Sequence, residues 1–101
     1  MREYVISPPA IQDLEGAIDY FAQTNVETGE QFLQQFTAWC QKLRQFPMIG
    51  KRYDGLFVGL RGVLIGEYIL FYQVSEDVVE IIRVVYGKRD LVSLFKPDNS
   101  A

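Results

Sequence analysis

The chain has no histidine at all, one cysteine and one tryptophan among its 101 residues. Without an imidazole, no side chain titrates near neutrality unperturbed, so side-chain acid–base chemistry would have to use carboxylates, lysine or tyrosine. A lone cysteine, Cys40, excludes an internal disulfide, and within a helical pattern it reads as a small buried residue. No apolar run reaches the roughly 18 residues that a membrane span requires. Met1-Arg2-Glu3 leads directly into a short β pattern, so neither a signal peptide nor a membrane anchor is expected, and a cytoplasmic location is. Cations are also scarce at the start. Residues 1–40 carry one, Arg2, against six acids, whereas residues 41–96 carry nine cations against six acids. The net charge of -3 argues against general nucleic-acid binding, yet leaves room for a local basic face.

What is present is an ordinary globular composition, 49% hydrophobic and 23% charged, which excludes wholesale disorder. A chain of this length buries roughly 60–65% of its unfolded surface around one core. A single domain over residues 1–96 is expected, followed by a polar tail at 97–101.

Tyr4-Val5-Ile6 is a short β run, and Ser7-Pro8-Pro9 is a helix start: serine accepts from free amides and proline needs no partner in the first turn. Ile11, Leu14, Ile18 and Phe21 recur at helical spacing up to Thr24-Asn25. A second helix is expected from Thr28 or just before. Its stripe is Phe32, Phe36, Trp39, Leu43 and Phe46, its C-terminal dipole is met by Lys42 and Arg44, and Pro47 ends it. The polar connection makes the two a helical hairpin. Residues 48–54 read as a loop bearing Lys51-Arg52, a solvated pair that could also touch a nucleic-acid backbone.

Three β runs follow, Leu56–Ile65, Tyr68–Val74 and Val78–Tyr86, joined by turns short enough for an antiparallel meander. A short helix from Leu91 to Phe95 closes the pattern. The fold class is therefore α+β: an N-terminal strand, a helical hairpin, a three-stranded antiparallel meander and a short C-terminal helix. Phe57, Val63 and Ile65 alternate with Leu56, Val58, Leu60 and Leu64, and Ile69 and Phe71 with Tyr68, Leu70 and Tyr72, so the strands are apolar on both faces. The hairpin can cover one face. A partner protein is expected on the other, with loops and the terminal segment as the alternative cover.

The last strand carries Arg83 in its interior and ends in Tyr86-Gly87-Lys88-Arg89-Asp90, a phenol and three cations suited to an anion. Taken with Tyr4-Val5-Ile6-Ser7-Pro8, Ala10, Asp13-Leu14, Phe46-Pro47, Gly50-Lys51, Gly59-Leu60-Arg61 and Tyr68-Ile69-Leu70-Phe71-Tyr72, the chain resembles the RelE/ParE superfamily of toxins from type II toxin–antitoxin pairs. The Gly-Leu-Arg element and the strand ending look more like the ParE branch. The resemblance implies a compact toxin neutralised by a cognate antitoxin that wraps around it in a hetero-oligomer. The antitoxin, not the toxin, would contact operator DNA. ParE-like members are associated with inhibition of DNA gyrase and RelE-like members with cleavage of mRNA on the ribosome. Tyr86 stands where many members carry histidine.

Under the ribonuclease alternative, Arg61, Arg83 and Tyr86 are the catalytic candidates. Arg61 and Arg83, at odd positions of neighbouring strands, would share a sheet face and clamp a phosphate. Tyr86, Lys88 or Glu67 would serve as acid or base, though tyrosine and lysine titrate near 10, far from neutrality. For target or phosphate binding generally the candidates are Arg61, Arg83, Lys88 and Arg89. The structural alternatives are an ion pair of Arg83 with Glu67 or Glu80, a packing or interface role for Tyr86, and a solvated Lys88-Arg89-Asp90 turn in which Asp90 caps the last helix. No cofactor and no metal is expected. A third possibility is a family member that binds its antitoxin without toxicity.

Overall fold

A computed structural model describes residues 2–95; the polar tail expected at 97–101 lies outside them. Strand β1 (Glu3–Ile6) runs into Ser7, whose hydroxyl accepts the Ala10 N–H at 3.3 Å and so caps helix α1 (Pro8–Thr24). The same hydroxyl donates to the Ile82 carbonyl at 2.9 Å, fixing the cap to the far end of the chain. Asn25 then does two jobs. Its N–H closes α1 on the Phe21 carbonyl at 2.7 Å, and its side chain accepts the Thr28 N–H at 3.1 Å. That second bond starts helix α2 (Val26–Gln45) at once, so the short polar connection is the single residue Asn25 and α2 begins two residues before Thr28.

The α1 stripe sits slightly rotated from the expected one. Ala10, Leu14 and Ala17 are buried, while Ile11 and Ile18 are largely exposed. Alanines let the helix approach the sheet closely, and the larger isoleucines flank that contact line. In α2 the buried set is Gly29, Phe32, Phe36, Cys40 and Leu43. Trp39 is only partly buried and donates its indole N–H to the Leu64 carbonyl at 3.1 Å, and Phe46 is exposed. Cys40 is fully buried, as expected, and burial pushes its thiol up to about 12.

After α2 come β2 (Lys51–Arg52), β3 (Arg61–Ile65), β4 (Tyr68–Val74), β5 (Val78–Tyr86) and the single-turn helix α3 (Leu91–Leu94), capped by the Asp90 carboxylate. The sheet order is β1-β5-β4-β3-β2. The meander β3–β4–β5 is antiparallel, and β1 pairs in parallel with β5. Two assignments differ from expectation. Lys51-Arg52, read as loop, forms a two-residue edge strand on β3, and the strand read from Leu56 begins only at Arg61. Residues 53–60 turn instead: the Tyr53 carbonyl accepts the Leu56 and Phe57 amides, and Gly59 has a φ of 85°, left-handed backbone that glycine adopts freely.

These turns explain what covers the second face. Val63, Ile65, Leu70, Tyr72, Val79, Ile81 and Val84 pack under the helical hairpin. On the opposite face Leu60, Ile69, Phe71 and Val85 are buried beneath Tyr53, Leu56, Leu91, Leu94 and Phe95. Phe71 stands edge-on to both Tyr53 and Phe95, with ring centroids 5.1 Å apart in each case. The partner protein expected on this face is therefore replaced by the chain's own 53–60 segment and α3. Interrupting the strand at 53–60 is what frees those apolar side chains to fold back over the sheet.

Candidate functional site

The arginine of the last strand is not free. Arg83 donates from Nε to Asp13 Oδ2 at 2.7 Å and from Nη2 to Asp13 Oδ1 at 2.9 Å, a two-pronged pair with side chains only 25% and 13% exposed. The hydrogen bond to Asp13 raises the guanidinium's pKa against the opposing effect of burial. Asp13 Oδ2 also accepts the Val84 N–H at 3.0 Å. The β1–β5 register ends at Ile6 and Ile81, so Asp13 supplies an acceptor to a β5 amide past the end of β1. The partner of Arg83 is thus Asp13, not Glu67 or Glu80.

A bulge decides where Arg83 points. Tyr72 pairs with Ile81 and Phe71 with Arg83, leaving Ile82 as the extra residue on β5. Position parity therefore fails as a guide to faces beyond Ile81. Moreover β3 and β5 are not neighbours, because β4 lies between them. Arg61 lies opposite Tyr72, in the layer under the hairpin, and Arg83 opposite Phe71, which belongs to the other face. The shared-face phosphate clamp expected from the sequence is not assembled.

Arg61 has its own partners. Its Nη1 donates to the Met48 and Gly50 carbonyls at 3.1 and 2.9 Å. The same loop is gripped by Tyr72, whose hydroxyl donates to the Pro47 carbonyl at 2.7 Å and accepts the Gly50 N–H at 2.9 Å. Burial raises the Tyr72 phenol pKa; the Gly50 amide and then Arg61 pull the other way. Arg61 and Tyr72 together pin the segment that leaves α2. Gly50 is required there: a Cβ would lie 2.5 Å from Tyr72 Oη and 2.9 Å from the Gly62 carbonyl oxygen.

Tyr86 lies apart from both arginine anchors, lining a groove of about 620 Å³ between the closed end of the hairpin, beside the Asn25 joint, and the β3–β4 turn. Its ring meets Tyr68 edge-on at 6.0 Å, and it keeps 40% of its surface exposed. Burial raises the Tyr68 phenol pKa, helped by the nearby phenols of Tyr20 and Tyr86. Lys88 lies 3.5 Å from Glu67 in a largely exposed pair on the same rim. Arg89 is exposed, and Asp90 caps α3 by accepting the Ser93 N–H at 3.2 Å. Lys51 rests over the Tyr53 ring and Arg52 pairs with Asp54 at 2.7 Å. Of the sequence candidates, then, Tyr86, Lys88 and Glu67 come together, while Arg61 and Arg83 are anchored separately.

Asp13 and Tyr72 escaped the sequence reading. Asp13 left a trace: it falls in the buried helical row of Ala10, Leu14 and Ala17, and a carboxylate on a buried row requires a partner. Tyr72 left none, since a tyrosine inside an apolar strand looks like any other core aromatic.

Comparison with known proteins agrees with this architecture. The chain is 30% identical over 87 residues to the "Toxin ParE1" of Caulobacter vibrioides, covering 85% of this chain and 90% of that protein. Its fold matches a solved chain described as "Chromosomal ParDE TA system from P. aeruginosa" with a TM-score of 0.71 at 17% identity, covering 85% of this chain and 96% of that one. The family model for "ParE toxin of type II toxin-antitoxin system, parDE" matches residues 4–91, most of both layers and every anchor described above. The chain belongs to the ParE toxin family of type II toxin–antitoxin systems.

Proposed function

We propose that the protein is a toxin that acts by binding and inhibiting DNA gyrase, without catalysis of its own, and that a cognate antitoxin neutralises it by forming a hetero-oligomer. The observation that carries this reading is the commitment of both arginines. Arg83 commits its Nε/Nη2 fork to Asp13, and Arg61, two strands away, is tied through Nη1 to two loop carbonyls, so the two are held apart and do not clamp one phosphate. Histidine is absent from the chain, and the remaining acid–base candidates at the rim, Tyr86, Lys88 and Glu67, have no guanidinium beside them in the bonds described. Phosphoester cleavage needs charge stabilisation and a matched proton donor and acceptor in one place. The net charge of -3 further favours a protein target over direct contact with nucleic acid; operator DNA would be reached through the antitoxin alone. Among the described residues no helix is long and apolar enough to cross a membrane, which accords with a cytoplasmic target. The reading carries with it one domain over residues 1–96.

Purified protein in parallel supercoiling and translation assays tests it. Inhibited gyrase with intact translation is expected. Cleaved ribosome-bound mRNA that disappears in Arg83→Ala and Tyr86→Phe would overturn the gyrase reading in favour of the ribonuclease. Absence of both effects, together with unimpaired growth of a host lacking the antitoxin, would leave an antitoxin-binding protein without toxicity.

A further inference from the structure

Residues 8–41, almost the whole helical hairpin, contain five carboxylates and no lysine or arginine. Asp13 is spent on Arg83, and the other four, Glu15, Asp19, Glu27 and Glu30, enter no ion pair among the described residues. This acidic hairpin opens onto the groove that holds Tyr86. The groove wall is aromatic: Tyr68 meets Phe32 edge-on at 5.0 Å and Tyr86 edge-on at 6.0 Å, and is tilted against Phe21 at 6.0 Å. Tyr20, 58% exposed, extends the wall on the α1 side. The α2 side adds the uncharged Thr28, Gln31 and Gln35, and the one carboxylate in the lining, Glu67, lies 3.5 Å from the Lys88 ammonium.

Exposed aromatic faces backed by an uncompensated negative field make a poor site for an anion and a good one for a cation. Ring quadrupoles attract ammonium and, more often, guanidinium groups, and nearby carboxylates raise the local concentration of positive charge. A cavity of about 620 Å³ admits one or two long side chains, not a folded domain. We infer that this groove is a docking site for a basic segment of a protein partner, which inserts an arginine between Tyr20, Tyr68 and Tyr86 and lays further cations along the acidic hairpin. The arginine stem packs on Phe21 and Phe32 while its planar head meets the phenol rings. The inference does not depend on gyrase being the target, since it rests on the groove and the charge around it alone.

The test uses the intact protein and two synthetic peptides of one leucine-containing amphipathic pattern, with arginine or glutamate at the charged positions, each labelled for fluorescence anisotropy. The arginine peptide is expected to bind, more weakly as salt rises. Tyr20→Ala should weaken it on the order of tenfold, and so should Glu27→Lys combined with Glu30→Lys. Both changes lie on exposed positions, and circular dichroism checks that the fold is kept. Glu76→Lys, a single charge reversal in the β4–β5 turn away from the groove, should leave binding unchanged. Equal or tighter binding of the glutamate peptide overturns the inference, as does failure of both peptides to bind. Indifference of the arginine peptide to the Tyr20 and Glu27/Glu30 variants, or an equal loss with Glu76→Lys, overturns it too. Self-association in sedimentation velocity that Tyr20→Ala abolishes, without peptide binding, would give the groove to a second copy of the chain instead.

Discussion

Asp13 and Arg83, seventy positions apart in sequence, are joined by two charge-assisted hydrogen bonds that lock α1 to the last strand of the sheet. The bond lengths of 2.7 and 2.9 Å and the low exposure of both side chains make this a structural pair. Removing one partner strands the other. Arg83→Ala is expected to cost about 2–3 kcal/mol, below the full penalty of a deeply buried pair because water still reaches the site. Lysine cannot reproduce the fork, so Arg83→Lys should recover little of the loss. Urea denaturation of Asp13→Asn, Arg83→Ala and the double variant decides the matter: strictly additive effects would mean that the pair is not energetically coupled. Any loss of activity in Arg83→Ala has to be read against this destabilisation.

Tyr72 holds the exit of α2 through its single hydroxyl, buried with both of its hydrogen bonds made. Tyr72→Phe leaves the Gly50 amide without that acceptor and should cost about 1–3 kcal/mol. Gly50→Ala overpacks the same spot and should cost a similar ~1–3 kcal/mol. In thermal melts each lost kcal/mol lowers Tm by roughly 4–8 °C in a chain of this size. An unchanged Tm in Tyr72→Phe would show the two hydrogen bonds to contribute nothing net.

Cys40 should be silent towards thiol reagents. It is completely buried, and with the thiol pushed up to about 12 almost no thiolate exists at neutral or mildly alkaline pH. The unfolded chain ionises near an ordinary cysteine value, so native stability should fall as pH rises from about 8.5. Labelling by an aromatic disulfide should proceed only as fast as the protein opens. Labelling at the rate of a free thiol would contradict the burial.

Acid should loosen the 53–60 segment first. The Gly59 N–H, at 2.9 Å, and the Arg52 guanidinium hold the Asp54 carboxyl below the usual carboxylate range. A lowered folded value means that the contribution is present above the unfolded value of about 3.9 and is lost as pH falls through the folded one. Asp54→Asn should therefore flatten the acid limb of stability against pH. An identical acid limb in wild type and Asp54→Asn would refute the role of Asp54.

Much of this architecture was legible in residue order alone. Ser7-Pro8-Pro9 announced α1, Pro47 ended α2, and Asp90 was readable as the cap of α3. Local chemistry fixes such boundaries, and local chemistry is what a sequence displays. The long-range choices were not legible. Nothing in Leu56 or Tyr53 distinguishes a strand residue from one that folds over Phe71, because both readings satisfy its hydrophobicity. The bulge at Ile82 is equally silent, yet it undoes any argument from alternating positions and separates Arg61 from Arg83. For the site, the phenol and the rim charges were visible as a cluster at the end of β5. The identity of each arginine's partner was not, since it depends on which segment the sheet edge meets.

The parallel pairing of β1 with β5 also sets the order of events during synthesis. Residues 3–6 are made well before the strand they pair with, 78–86. Until that strand leaves the ribosome, β1 has no neighbour in the sheet, Ser7 lacks the Ile82 carbonyl, and Asp13 faces no arginine. Contacts of such long sequence separation make folding slow and late. The growing chain can form its helical hairpin but not its sheet. The exposed underside of that hairpin, with Phe32, Phe36 and Leu43 uncovered, is the surface that a nascent chain would present to chaperones or to a waiting partner before any native activity could exist.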